Sequence, residues 1–220
     1  MPLNSIHNGR GFFSDYWLGS VLSARRKGEG TRLTPAQGRR LMSRLLQLRQ
    51  RVDTTEPLEL TEFREKYARP LLGEILGFKI AEDAEDPRLR YLTKEPSEPS
   101  ASPASSERLL ALLLEPDHDE ADTRAVRGKL DKALLEKNLP YGFILTPSIL
   151  RLVRRPGDGN KNAYLDFSIA TATESEDVDS LIVAHRILNA GSFTPNGDGH
   201  APIELLEQES RKHSAKVSDD

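Results

Sequence analysis

Leu109–Asp117 reads LLALLLEPD, His118–Tyr141 reads HDEADTRAVRGKLDKALLEKNLPY, and Gly142–Arg155 reads GFILTPSILRLVRR. Leu109–Leu114 is a continuous uncharged apolar run, which predicts a strand buried on both faces. The acids Asp119 and Asp122 suit the positive end of a helix that starts there and runs to about Asn138. Ala125, Leu130, Ala133 and Leu134, with Val126, face that helix toward the core. Tyr141–Thr146 and Ile149–Arg154 read as two strands joined across Pro147-Ser148. Glu115 and Asp117 stand where the first strand leaves the core. Paired carboxylates at such an exit are oxygen ligands for a hard divalent cation. Helix-end charges on a solvated turn are the better account of the same residues.

Outward from this unit the chain is helical before it and mixed after it. Ser14 is a candidate N-cap for a helix over 12–24, where Phe12, Phe13, Tyr16 and Trp17 gather aromatic surface. Thr34 and Gln37 form a capping box, with Pro35 at the first helical position. Leu41, Leu45, Leu48 and Val52 then recur at helical spacing, widened by Leu46. Thr61 reads as the cap of a third helix, which Pro70 kinks or splits and Gly77 ends. Its apolar end, Leu71, Leu72, Ile75, Leu76 and Phe78, needs burial. Residues 82–108 are rich in Pro, Ser and acids. Within them Arg88–Thr93 is a candidate short strand, and about 94–107 is a flexible insertion. Downstream, Ala163–Ile169 reads as a strand. Thr173 and Glu176 read as a capping box for a helix stopped by Gly191, and Pro202–Val217 is a last amphipathic helix.

The whole pattern is three helices, then β-α-β-β-β-α, then a helix. It predicts an α/β fold with a mixed central sheet flanked by helices. The segments are a basic helical N-terminal extension (1–60), an α/β domain (61–195) and a linker with the start of a helix (196–220).

Composition narrows the functional classes. The chain has 220 residues and no cysteine, so disulfides and thiolate metal sites are excluded. Its longest uncharged apolar run is far too short to cross a bilayer, and no signal-peptide-like stretch opens the sequence. The expectation is a cytoplasmic protein with no membrane partner. The five histidines show no ligand spacing. The net charge of −3 conceals an asymmetry. Residues 1–53 carry ten Lys/Arg and three Asp/Glu, whereas residues 82–122 carry four Lys/Arg and twelve Asp/Glu. A basic block on a near-neutral chain points to a duplex DNA backbone; a solvated helix face, with arginines that pair with the acidic middle of the chain, is the alternative reading. Arg39, Arg40, Arg44, Arg49 and Arg51 in the second helix are the candidate phosphate contacts, with Arg154 and Arg155 at the end of the third strand. Asn138-Leu139-Pro140-Tyr141 has the outline of a flipped-adenine motif, but its second residue is Leu and it precedes a strand instead of following one.

The order helix 62–77, strand 109–115, helix, and the strands GFILT and LRLVRR resembles the PD-(D/E)XK nuclease-like core. More closely, the chain resembles the N-terminal region of type IIG restriction–modification enzymes and related phage-defence DNA adenine methyltransferases, including those of DISARM systems. PLLGEILGF, PYGFILTPSILRLVRR, AYLDFSIATATESEDVDSLIVAHRILNAGSF and LLEQESRKHSAKVSDD carry the resemblance, which spans nearly all of 61–220. It implies a restriction-endonuclease-like core, other subunits of a defence complex as partners, and S-adenosylmethionine only in a downstream domain. The nuclease pattern needs Glu-x-Lys on the central strand, for a Mg²⁺ ligand and an activating ammonium. This chain has Glu115-Pro116-Asp117, and Thr-Pro-Ser where the family often has Asn-Gly in the next turn. The expected module is therefore a degenerate, non-catalytic nuclease fold without a cofactor of its own. The alternative is an active Mg²⁺-dependent endonuclease, with Glu115 and Asp117 as metal ligands, Lys129 replacing the missing lysine, and Glu62 or Glu65 as a further carboxylate. A third reading is a protein-interaction scaffold that does not bind DNA.

Overall fold

Every residue from Leu109 to Leu114 of the inner strand β4 (Arg108–Leu114) is buried. This is a computed structural model, and it describes residues 3–9, 11–14, 17–22, 33–52, 58–81, 86–94, 108–116, 124–157 and 163–218. The other strands are β1 (Ile6–Gly9), β2 (Phe78–Ala81), β3 (Leu89–Lys94), β5 (Tyr141–Leu145), β6 (Ile149–Arg154) and β7 (Tyr164–Ser168). They form one seven-stranded sheet in the order β1-β7-β6-β5-β4-β3-β2. Only β4 and β5 run parallel; every other neighbouring pair is antiparallel. Parallel neighbours need a crossover, and α3 (Arg124–Glu136) supplies it. The fold is thus α/β, with a mixed sheet flanked by helices.

Alternation along the strands divides the interior in two. Leu110, Leu112, Leu114, Phe143 and Leu145 face the larger core. Ala111, Leu113 and Ile144 face the other side, where Val126, Leu130, Ala133 and Leu134 of α3 cover them. Ala125, assigned to the core by periodicity, is exposed instead. Gly142 lets α3 lie close to the sheet, because a Cβ there would meet Leu130 at 3.0 Å and the Ala111 carbonyl oxygen at 3.1 Å.

The larger core is roofed by helices. A wide helical turn, Trp17–Leu22, follows Ser14, whose hydroxyl accepts the Trp17 N–H at 3.4 Å. The capping box of α1 (Pro35–Val52) forms in full: Thr34 N–H donates to Gln37 Oε1 at 2.8 Å and Gln37 N–H to Thr34 Oγ1 at 3.2 Å. Gly38, Met42, Leu45, Leu48 and Val52 bury one face of α1. A short helix, α2 (Leu60–Phe63), continues through wide turns over Arg64–Ala68 and Leu71–Ile75. Pro70 has no N–H to give to the ladder, and the wide turns lie on either side of it. Gly77 ends this segment at φ +75° and donates to the Gly73 carbonyl. Thr61 is not the cap, because Glu59 occupies that position.

After β7 come α4 (Ile169–Glu174), α5 (Val178–Leu188), α6 (Ala190–Phe193) and α7 (Pro202–Ser218). The Thr173/Glu176 capping box does not form. Thr173 lies inside α4 and donates back to the Ile169 and Ala170 carbonyls, while Glu176 takes φ 49° in the break between helices. Ser168 caps α4 and Asp177 caps α5. Gly191 is not the stop either. Asn189, with ψ 159°, ends α5, and Gly191 lies within α6.

Both chain ends belong to this one structure. β1 pairs with β7, Phe12, Phe13 and Trp17 enter the larger core, and Ile203 of α7 joins them. Residues 95–107 of the expected insertion, and Asp117, Asp119 and Asp122, lie outside the described residues. No described helix is long and apolar enough to cross a membrane.

Asp177 ties the start of β1 to α5. Its carboxylate accepts from Ser5 Oγ at 2.9 Å, Ser180 Oγ at 2.6 Å and Ser180 N at 3.0 Å. Burial pushes this carboxyl up, but the hydrogen bonds from Ser180 and Ser5 outweigh burial and hold it below its ordinary value. The stabilisation is therefore fully present above the unfolded aspartate value of about 4 and is lost as pH falls through the lower folded value. Asp177→Asn puts an amide nitrogen where Oδ2 accepts the Ser5 and Ser180 hydroxyls, and should lower unfolding free energy by about 1 kcal/mol at neutral pH. In a series of urea denaturations the difference from the parent should shrink steadily below about pH 4.

Candidate functional site

The strand exit singled out by the sequence is a closed, charged junction. The Glu115 N–H extends the parallel ladder by donating to the Leu145 carbonyl at 2.9 Å. This backbone bond fixes the Glu115 side chain beneath the surface, where it is only 2% exposed. A buried carboxylate needs a positive partner. Arg88, just before β3, provides it, donating from Nη1 to Glu115 Oε2 at 2.6 Å. The antiparallel pairing of β3 and β4 brings the start of one beside the end of the other.

Asp86 links this pair to α3. It accepts the Arg88 N–H at 2.8 Å through Oδ1, and its Oδ2 lies 3.7 Å from Lys129 Nζ. Its backbone carbonyl accepts Nη1 of Arg90 at 2.9 Å. Glu115, Arg88, Asp86 and Lys129 are thus joined at one end of the β3–β4 pair. Lys129 does come to this end, but its contact is with Asp86. Glu62 and Glu65 are occupied elsewhere: Glu62 pairs with Lys66 at 2.5 Å, and Glu65 with Arg64 and Arg69 at 3.0 and 3.1 Å. Among the described residues no group of three or more Asp, Glu or His is placed to hold a metal ion. Asp117, the second expected ligand, lies outside the described residues.

Asp86 and Arg88 are absent from the sequence-derived site. A signal was present. Asp86-Pro87 directly precedes a strand, and that strand runs antiparallel to the one ending at Glu115. The weak strand pattern of 88–93 and the surrounding acids obscured it.

The neighbouring β5–β6 turn is built without glycine. Thr146 Oγ1 accepts the N–H groups of Ser148 and Ile149 at 3.2 and 3.0 Å, and the Thr146 N–H donates to the Ile149 carbonyl at 3.0 Å. The threonine hydroxyl closes a turn that an Asn-Gly pair would close by positive φ. Tyr67 then anchors the α2 segment to this turn, donating to the Pro147 carbonyl at 3.0 Å.

The expected DNA-contacting arginines fall into distinct environments. Arg39 and Arg40 are exposed on α1. Arg44 is taken up by Glu74, at 2.5 Å, and by Gln47. Arg49 is half-buried beside Tyr67, whose phenol is pushed up by burial and drawn partly back by the Arg49 charge. Arg51 is exposed and donates to the Lys66 carbonyl. Arg155 is half-exposed and bonds Asn138. Arg154 must be removed from the set. It is buried, pairs with Glu207 of α7 at 2.6 Å, donates to the Phe12 carbonyl and stacks over the Phe12 ring at 4.5 Å. Its guanidinium joins β6, the N-terminal segment and α7, and is closed to a phosphate from outside.

No family model matches the chain, and no curated protein or solved structure matches it.

The Glu115–Arg88 junction makes a double-mutant prediction. Arg88→Ala removes the arginine partner of a buried carboxylate and should cost on the order of 3 kcal/mol. Combining Arg88→Met with Glu115→Gln removes both charges and should recover most of that loss. Urea unfolding of the two single variants and the pair measures the coupling.

Proposed function

We propose that this chain is a non-catalytic DNA-binding module, built on a degenerate restriction-endonuclease-like core, of a restriction–modification or phage-defence DNA adenine methyltransferase. The observation that carries the reading is the outer face of α1. Its 18 residues hold five arginines and no acid. Arg39 and Arg40 are exposed there, and neither forms an ion pair among the described residues. An acid-free arginine face on a rigid, core-packed helix suits a phosphate backbone, which is gripped by charge without base reading. The expected succession of helix, strand, crossover helix and strand pair accords with a nuclease-like core. The Arg88 guanidinium against Glu115 supports the non-catalytic part, since it holds the position beside the carboxylate where a metal-dependent centre needs its cation.

Duplex binding should be readable by fluorescence anisotropy at low salt and should weaken as salt rises. Arg39→Ala with Arg40→Ala should weaken binding on all sequences alike and reduce the salt slope by about two. Undetectable duplex binding at low salt, or a slope unchanged by the double variant, contradicts the reading.

One observation favours the endonuclease alternative: Asp86, Glu115 and Lys129 share one end of the β3–β4 pair. Incubation of supercoiled plasmid with Mg²⁺ or Mn²⁺ separates the two readings. The non-catalytic module leaves the plasmid intact, whereas nicking that disappears in Glu115→Gln and Asp117→Ala selects the nuclease.

A further inference from the structure

The exposed face of α1 is not uniform. Successive helix residues turn by about 100°. The buried residues of α1 gather on one side of that rotation. Directly opposite them stand Ala36, Ser43 and Gln47, all exposed and all neutral. Arg40 and Arg51 lie about 40–60° to one side of this crest, and Arg39 lies about 60° to the other. These three arginines are exposed, and so is Gln50, which stands between the crest and the line of Arg39. The helix thus carries an uncharged crest between two cationic flanks.

The crest side chains are held. Arg44, anchored on Glu74 at 2.5 Å, donates to Gln47 Oε1 at 3.2 Å. A carboxylate from the turn region before β2 thereby orients an amide on α1 through an arginine. One lone pair of Oε1 and both amide N–H groups stay available. Ser43 donates its hydroxyl hydrogen to the Arg39 carbonyl at 3.1 Å and keeps its lone pairs as an acceptor. The helix itself lies directly on α5. A Cβ on Gly38 would come within 2.8 Å of Ile182 and 2.9 Å of Val178. Recognition side chains gain precision on such a fixed element.

This layout matches one surface in particular. A helix with its side chains is about 10–12 Å across, and the major groove of B-DNA is about 12 Å wide. Phosphates line both walls of that groove and base edges form its floor. Arginine flanks meet the walls, and an uncharged crest meets the floor. The major groove of an RNA duplex is too deep and narrow for side chains to read, which selects DNA. A glutamine amide offers an acceptor and a donor side by side, the pair that the N6 amino group and N7 of adenine complement.

We propose, resting on the DNA-binding reading of this face, that α1 enters the major groove of duplex DNA and that Gln47 reads an adenine there, with Ser43 and Gln50 as neighbouring base contacts. The arginines grip without regard to sequence, and the crest supplies the preference.

The test is selection by the intact chain, at low salt, from a pool of duplexes with a randomised central segment, followed by sequencing of the bound fraction. Enrichment of an A·T pair at one position is expected. Gln47→Ala should lower the preference at that position by about tenfold and leave affinity for the unselected pool within about twofold. Arg39→Ala with Arg40→Ala should weaken binding to every sequence and keep the order of preference. These are exposed helix positions where alanine favours the helix, so the variants keep their fold. Binding without any enriched position, or enrichment that Gln47→Ala leaves unchanged, overturns the proposal while the DNA-binding reading stands. A chain that retains no duplex at low salt overturns both.

Discussion

The burial of β4 on both faces is the constraint from which the rest of the structure follows. Six consecutive apolar residues exclude water from both sides of one strand, so helices must cover each face. On one side, among the described residues, α3 does this, and its crossover makes β5 parallel to β4. On the other, α1, the α2 segment and the helices after β7 share a single core. The strand can leave this interior only through Glu115, whose backbone still belongs to the ladder. Its carboxylate is consequently held inside, and a positive group must come to it.

Arginine supplies that group here, and arginine–carboxylate pairs also tie elements together elsewhere among the described residues. Arg151 with Asp166 joins β6 to β7, and Tyr164 lies 3.9 Å over the guanidinium. Arg154 with Glu207 draws α7 onto β6, although burial pushes the Glu207 carboxyl up against the pull of Arg154. Arg44 with Glu74 joins α1 to the turn region before β2. Arg151 and Asp166 form a planar two-oxygen fork, which holds the strands in register as well as balancing charge. A site that began as paired acids at a strand end is therefore, at Glu115, an ion pair internal to the protein.

Much of the core was legible because periodicity and burial are local signals. The run Leu109–Leu114, the α1 stripe with its Thr34–Gln37 box, and the apolar end 71–78 all read correctly. β1 and β2 were hidden because four residues carry too little pattern, and IHNG and FKIA form strands only when a neighbour pairs with them. The breaks at Glu176 and Asn189 were hidden because Thr173, Glu176 and Gly191 mimic the usual stop and start signals, while the true caps, Ser168 and Asp177, lie a few residues away. Charges misled for a different reason. Arg154 and Arg155 look alike in sequence, yet strand alternation and the arrival of α7 bury one and leave the other near water. Asp86 and Arg88 reach Glu115 only through the β3–β4 pairing, which no local spacing encodes.

With the Arg88 guanidinium held against it, the Glu115 carboxylate should not recruit a divalent cation. The most direct measurement is a Mn²⁺ titration of the ¹⁵N-labelled chain, following paramagnetic broadening of the Leu114, Glu115 and Leu145 amides. The pair predicts weak, non-saturating broadening there, unchanged by Glu115→Gln. Saturable broadening centred on Glu115 at low Mn²⁺, lost in that variant, would contradict it.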